Sequence, residues 1–326
     1  MPVNRKRQWS VAQYLILILL VISINFALPR MMPGNPLVYL AGEEVGQLTE
    51  EEKGELLARY NLDKPLHIQY FRYLGDLVTL QWGDSYSQKE PIKNVLAARI
   101  PWTMLLAAGS IALAALLGAI LGVRAAQSRG RGLDVPLLLI VSFLSSLPSF
   151  WVGMIFIAIF AVQLNLLPIY GAYTVGAGYT GLQKAADILT HMTLPLLTLT
   201  VISVGRYFLT MRYSILEVMG EDFIALARAK GLPDRLIRYK YIMRNALLPF
   251  FTVLMMDLGF ILSGATVVET VFAYPGLGRL MFEAVMARDY PLLQYSFLTV
   301  ALIVIIFNFM ADRLYVRLDP RVGEER

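Results

Sequence analysis

The sequence contains no cysteine, which excludes disulfides, thiolate nucleophiles and cysteine-ligated metals. Histidine is almost as scarce: His67 and His191 are the only two, too few to build a zinc site. Charge is also scarce, at 16% of 326 residues against roughly a quarter in soluble domains. No G-x-x-x-x-G-K-[ST] occurs, so the chain has no Walker A loop to cradle ATP phosphates. Without His-Glu-x-x-His or Gly-x-Ser-x-Gly, a membrane enzyme lacks its catalytic constellation. What is present is apolar: 57% of residues are hydrophobic and the mean hydropathy is +0.57. The net charge is +5, but the basic residues fall in short blocks between apolar runs. That distribution fits membrane sidedness rather than the continuous basic face of a nucleic-acid binder.

A membrane-crossing helix needs roughly 20 mainly apolar residues to traverse about 30 Å of hydrocarbon. Val11–Leu28 has no charge, follows Arg5-Lys6-Arg7 and lacks a small-residue cleavage site, so it reads as an uncleaved first helix. Trp102–Val123 is the second. Val135–Gln183 is charge-free and predicts a third span over about 137–163, kinked at Pro148, then a Gly/Tyr-rich loop. Thr193–Gly205 continues towards Arg212 as a fourth, Ala246–Val268 is a fifth containing Asp257, and Pro291–Ala311 is a sixth. The fold class is therefore all-α, a polytopic membrane protein of six transmembrane helices with both termini on one side.

Basic residues orient it. The N-terminus, the 124–133 loop, segment 206–245 and the tail from Arg313 together hold 18, against 11 on the other side. Eight of those 11 lie in the long segment 29–101, and long loops translocate largely regardless of charge. Both termini are predicted cytoplasmic.

Three regions follow. Residues 1–30 are the tail and first helix, 31–101 a helical extracytoplasmic cap, and 102–326 a core of five further spans with a cytoplasmic loop at 213–245. In the cap, Thr49-Glu50-Glu51-Glu52 reads as a capping box opening a helix to about Asn61. Pro65 starts a second helix, Trp82-Gly83-Asp84-Ser85 is turn chemistry, and Pro91–Ile100 is a third short helix entering the second span. The cap either packs over the bundle mouth or docks an extracytoplasmic partner. In the inner segment, Asp222 can cap a helix over about 223–230, Gly231 stands where a left-handed terminal residue belongs, and Pro233 restarts the chain. An eight-residue helix does not persist alone in water, so either its own bundle or a partner's groove must hold it. In the second case Arg228, Lys230 and Arg235 supply steering charge.

At these residues a family resemblance appears. Asp222-Phe223-Ile224-Ala225-Leu226-Ala227-Arg228-Ala229-Lys230-Gly231-Leu232, followed by Arg244-Asn245-Ala246-Leu247-Leu248-Pro249, resembles the cytoplasmic EAA loop of ABC-type import permeases, and is most like their dipeptide/oligopeptide/nickel branch. Pro33-Gly34-Asn35-Pro36, the stretch Val267–Arg279 (VVETVFAYPGLGR), Arg288-Asp289-Tyr290-Pro291 with Gln294, and Asp319-Pro320-Arg321 resemble further motifs of that branch, in order along the whole chain. Three positions depart from the pattern: Ala225 replaces the EAA glutamate, Asn35 the acid of PGDP, and Asp257 stands where a neutral polar residue is expected.

The resemblance implies an inner (plasma) membrane permease subunit of an ATP-driven importer, for di- or oligopeptides or alternatively nickel or a metal chelate. It is not an enzyme itself. It implies a homologous permease partner, two cytoplasmic ATPase subunits that bind ATP and Mg, an extracytoplasmic binding protein, and no cofactor in this chain. Asp222, Phe223, Leu226, Ala227, Arg228, Ala229, Lys230, Gly231 and Leu232 become the ATPase-coupling residues. An ATP-independent channel or scaffold is the rival from another class.

The residues add two transport-path candidates, Asp257 and Glu269. An ionised carboxylate at a span centre costs about 2.5–3.5 kcal/mol on insertion scales, so Asp257 must be paired, protonated or wet. It would attract a cationic group such as a peptide amine, whereas Glu269, beside the YPGLG turn, suits a structural role. Gly109, Ala112, Ala115, Gly118 and Gly122 predict a close-packing face on span two. The 14 methionines are scattered without histidines and read as core filling.

Overall fold

The computed structural model describes residues 2–31, 49, 51, 54, 64–130, 132–259 and 265–318. The PGNP motif, most of the capping-box helix and the Asp319-Pro320-Arg321 motif lie outside these residues. Among the described residues the chain is helical without a strand, and Asp84 and Pro91 form an isolated antiparallel bridge. In chain order the helices are α1 (Pro2–Met31), α2 (Leu66–Thr79), α3 (Ile92–Gln127), α4 (Asp134–Ser146) and α5 (Ser149–Phe156), which continues as a π-helical turn over Ile157–Gln163. There follow α6 (Gly181–Met219), α7 (Asp222–Ala229), α8 (Asp234–Leu236) with a π-helical continuation over Ile237–Met243, α9 (Arg244–Gly259), α10 (Thr266–Val271), α11 (Leu277–Met286) and α12 (Tyr290–Leu318).

Among the described residues, α3, α6 and α12 are each long and apolar enough to cross a membrane. α4 and α5 pass the same test as one pair, and α1 carries a shorter apolar stretch, Val11–Ala27. The chain is thus a helical membrane protein, with three such helices among the described residues, or four if the bent pair is one span. The expected fifth span is represented by α9 and the start of α10, with 260–264 outside the described residues.

Local chemistry explains three departures from the sequence expectation. Where a kinked third span was expected, the helix is interrupted, and α4 and α5 meet at 98°. Pro148 forces Leu147 into extended backbone (ψ 142), because the pyrrolidine ring clashes with a helical residue before it. The helix expected at Pro91–Ile100 is not separate but forms the first turns of α3, which runs through Pro101. Buried Ile92, Val95 and Leu96, packed on one face, hold those turns in line. α6 begins at Gly181, well before Thr193. Its first turns carry the charged Lys184 and Asp187, so an apolar-run criterion detects only the later part of the helix.

By contacts the chain forms two compact units, Met1–Thr103 with Pro275–Ile305, and Met104–Tyr274 with Ile306–Arg326. In the first, α11 and the start of α3 share a core of Ile92, Val95, Leu96, Leu277, Leu280, Ala284 and Leu292. Polar side chains then fasten it. Asn25 Nδ2 donates to the Gln294 carbonyl and Gln294 Nε2 returns a bond to the Asn25 carbonyl, both at 3.0 Å. Tyr73 Oη donates to Asn25 Oδ1 at 2.8 Å, and Trp82 stacks on Tyr295 with ring centroids 5.2 Å apart.

Asp289 is buried between α11 and α12. Its Oδ2 accepts from Ser85 Oγ (2.5 Å), the Ser87 N–H (2.9 Å) and Ser87 Oγ (2.8 Å), while Oδ1 accepts from the Leu292 N–H (3.1 Å). The RDYP motif is therefore a helix cap that also ties the 84–91 turn to α12. In the YPGLGR stretch, the Leu277 N–H donates to Thr103 Oγ1 at 2.7 Å, which fixes the start of α11.

The second unit is built on close helix contact. A Cβ added at Gly118 would lie 2.5 Å from Tyr207 Cβ and 2.8 Å from the Phe208 nitrogen. One added at Gly122 would lie 2.7 Å from the Phe208 carbonyl oxygen. α3 therefore presses onto the backbone of α6, as small-residue faces do where lipid offers no hydrophobic drive between helices. Ala115 shares this face, but Ala112 is exposed and the buried neighbour is Ala114, a correction to the expected stripe. The expected register holds at Gly109, Ala115, Gly118 and Gly122 and fails only at Ala112, because small residues occupy several faces of α3.

Candidate functional site

The segment after α6 was the most informative stretch of the sequence, and its geometry is now explicit. α7 spans Asp222–Ala229, with Glu221 in extended backbone before it (φ −73°, ψ 144°). Asp222 is thus the first helical residue and not the cap, where its charge still favours the positive end of the helix dipole. At the other end Gly231 adopts φ +70°, with its N–H on the Arg228 carbonyl (2.9 Å) and the Leu232 N–H on that of Ala227 (3.3 Å). No heavy atom lies within 4 Å of a Cβ added at Gly231, so backbone conformation alone selects glycine there. Pro233 flanks α8, which starts one residue later, at Asp234.

α7 has two apolar faces. Ile224 and Ala227, one turn apart, are buried in a cluster with Met211, Ile215, Ile237, Ile242, Ala246 and Phe250. These contacts explain how eight residues hold a helix that would not survive alone. Ala227 consequently lies on the inner face and cannot touch a partner, while Leu232 is half-buried against the same cluster. The outer face carries Phe223 (39% exposed), Leu226 (55%), and exposed Asp222, Arg228, Ala229 and Lys230. Next to it Tyr239 (63%) and Leu236 line a shallow pocket with Pro233 and Arg235. Sequence reasoning missed Ile224, Leu236 and Tyr239. An available signal was the adjacency of Phe223-Ile224 and Leu226-Ala227, more apolar residues than one face of so short a helix can bury.

Within the second unit α6 also pairs its arginines with two buried or half-buried acids, one on α9 and one on α4. Asp257 Oδ1 accepts from Arg206 Nη1, so the acid expected to be costly in a span is paired. Its side chain is 13% exposed, whereas that of Arg206 is 64% exposed. Asp134, at the start of α4, takes Arg212 in a two-pronged bridge, Nε to Oδ1 at 2.6 Å and Nη2 to Oδ2 at 2.7 Å, with both side chains nearly buried. Neither basic partner was anticipated as more than a marker of the water-facing end of the helix. Both are i, i+6 on α6 and face different neighbours, which spacing alone does not show.

Glu269 is fully buried in α10, and its carbonyl accepts the Tyr274 N–H at 2.8 Å. Its neighbours Val268, Phe272 and Tyr274 are buried with it, and the Phe272 carbonyl takes the Gly171 N–H at 2.9 Å. Asp257 and Glu269 sit in separate helices. Among the described residues, no group of three or more His, Asp or Glu is arranged to hold a metal.

Comparison with known proteins fits this architecture. Residues 95–324 match the family described as binding-protein-dependent transport system inner membrane component. The di/tripeptide transport system permease protein DppB of Pseudomonas aeruginosa is 33% identical over 93% of this chain and 94% of its own. The dipeptide transport system permease protein DppB of Escherichia coli K12 is 33% identical over the same shares, 93% and 94%. The oligopeptide transport system permease protein AppB of Bacillus subtilis is 31% identical over 94% and 95%. A solved chain of the MetNI methionine ABC transporter, in an inward-facing form, shares the fold at a TM-score of 0.56 and 18% identity, covering 71% of this chain and 99% of that one. Since the family match takes in most of the chain and the relatives nearly all of it, the protein belongs to the ABC-transporter permeases that form the inner-membrane component of binding-protein-dependent transport systems.

Proposed function

We propose that this chain is a translocation subunit of an ATP-driven importer of di- or oligopeptides. On this reading six helices cross the membrane and both termini are cytoplasmic. A homologous permease partner completes the path, an extracytoplasmic binding protein delivers cargo, and two ATPase chains bind ATP and Mg. The relatives named as peptide permeases support the cargo class. The observation that carries the mechanism is the two-faced helix α7, gripped by its own bundle at Ile224 and Ala227 while Phe223, Leu226, Arg228 and Lys230 face outward.

A docking element that transmits force needs both properties. The inner contacts make α7 move as one body with α6 and α9, and the outer apolar and basic groups engage the ATPase. Closure of the ATPases then becomes a rigid-body rocking of the helices, and the path alternates between its two openings. The chain itself contributes no phosphate-binding loop, so the energy comes from the partner.

The test is to disrupt the outer face and leave the anchor intact. Phe223→Asp with Leu226→Asp, or reversal of Arg228 and Lys230 to Glu, is expected to abolish peptide uptake and cargo-stimulated ATP hydrolysis. Membrane abundance of the chain should be unchanged, because none of these side chains belongs to the buried cluster. Wild-type uptake and ATPase stimulation in both variants would sink the coupling role.

A further inference from the structure

We infer that Arg206, held by Asp257, is a specificity-determining residue that reads the terminal carboxylate of the transported peptide. This rests on the peptide-importer reading above and deepens it.

The first observation is exposure in an otherwise covered stretch. Between His191 and Ile215 of α6 only Arg206 and Tyr213 are exposed. They are seven residues apart, hence on one face, and Met256, next to Asp257 on α9, is exposed as well. A face that presents a guanidinium is a poor lipid face, because a charge turned towards hydrocarbon is heavily penalised.

The second observation is depth. Arg206 lies 13 residues before the end of α6 at Met219, and Asp257 lies 13 residues after the start of α9 at Arg244. At about 1.5 Å per residue, Arg206 sits about 20 Å along α6 from the end that leads into α7, and Asp257 about 20 Å along α9 from the end that follows the π-helical turn at Ile237–Met243. The pair is therefore well inside the helical bundle and not at the loop.

The third observation is the unequal way the pair is held. Asp257 is mostly covered, and a single Nη1 contact secures the guanidinium to it. Among the described residues Arg206 makes no other side-chain hydrogen bond and its side chain is 64% exposed, so Nε and Nη2 are left for another acceptor. Two N–H donors on one edge of a planar guanidinium match the two oxygens of a carboxylate, the bidentate geometry that makes arginine the usual reader of that group. Asp257 fixes the guanidinium against the bundle wall, and its charge keeps Arg206 from binding an anion too tightly to release. Every unmodified peptide carries one terminal carboxylate, so this arrangement selects peptides as a class without reading their side chains.

The test compares cells carrying the wild-type gene, a deletion, Arg206→Gln, Arg206→Lys, and the double variant Arg206→Gln with Asp257→Asn. Uptake of L-alanyl-L-alanine and of L-alanyl-L-alaninamide is measured at saturating concentration, with membrane abundance of the chain followed in parallel. The binding protein is the same in all strains, so its own preference cancels when acid-to-amide ratios are compared. Arg206→Gln and the double variant are expected to lower that ratio about tenfold or more, the scale of one lost charge-assisted contact. Arg206→Lys should fall between them and wild type. The double variant keeps a neutral polar pair, so that loss of the carboxylate contact is separated from an unpaired Asp257.

Deletion-dependent uptake with an unchanged ratio in well-expressed variants overturns the assignment. Arg206 would then be a bundle contact or face an acid of the partner permease. Absence of any deletion-dependent uptake of either peptide overturns the peptide-importer reading and this inference together.

Discussion

The two compact units of the chain are held by different physics. In the first, the decisive contacts are directional: the reciprocal Asn25–Gln294 pair, Tyr73 on Asn25, and the Asp289 carboxylate collecting four donors. In the second, they are contacts of shape: Gly118 and Gly122 against the backbone of α6, and Gly205 against Ser145, whose Oγ accepts the Gly205 N–H at 3.0 Å. The difference follows from what each has available. A helix pair surrounded by hydrocarbon gains little from burying apolar surface, so close approach and dispersion carry association. A turn region rich in Ser, Asp and Asn can satisfy its polar groups only by pairing them, and in a low dielectric each such bond is expensive to lose.

The contrast can be broken at either end. The largest effect is expected for Asp289→Ala in the first unit, which strands the buried Ser85 hydroxyl and the Ser87 and Leu292 N–H groups at once. Hydrogen bonds to charged groups contribute about 1.5–3 kcal/mol each and do not add fully, so a loss of about 3 kcal/mol or more is expected. It should appear as a marked fall in the thermal unfolding midpoint of the detergent-purified complex. Asp289→Asn, which keeps one acceptor, should lose less.

In the second unit, Gly118→Ala adds a single methyl group where its neighbours include α6 backbone atoms that cannot move aside. Overpacking of this kind costs about 1–3 kcal/mol, read by the same midpoint. An unchanged midpoint would mean that α3 can stand off from α6, and that shape is not what holds the second unit. The smallest effect has the opposite sign. Gly75 lies within α2, with no heavy atom within 4 Å of an added Cβ. Gly75→Ala should therefore stabilise by roughly 0.5–1 kcal/mol through helix propensity and lost unfolded-state freedom.

How much of this was legible beforehand differs from element to element. The helix after Pro65 and the left-handed Gly231 follow from local chemistry, and the structure has them there, whereas the turn expected at Trp82–Ser85 falls a few residues later, at Tyr86–Gln88, after Asp84 has bridged to Pro91. α7 was also expected, displaced by only one residue, because a boundary depends on cap geometry that Glu221 and Asp222 share almost equally. The 98° break at Pro148 was seen only as a kink, since a proline reports a lost hydrogen bond and not the angle its neighbours will adopt. At the candidate site, the basic and apolar character of 222–232 was readable. Which of its residues turn inward was not, because helical periodicity over eight residues leaves the choice of face to whatever lies beneath.

Composition, the order of apolar runs and the spacing of turn residues determine by themselves a helical membrane protein, since hydropathy and local backbone preference are properties of short segments, while its family is carried by the likeness of particular motifs such as 222–232 to those of known permeases. Partnership was decided only in three dimensions. Arg206 and Arg212 are six residues apart on one helix with similar surroundings in sequence. Yet one meets Asp257 and stays exposed, while the other is clasped by Asp134 and buried. A charge in a low dielectric must find its counter-charge, and that counter-charge lies 51 residues away in one case and 78 in the other, so packing makes the assignment.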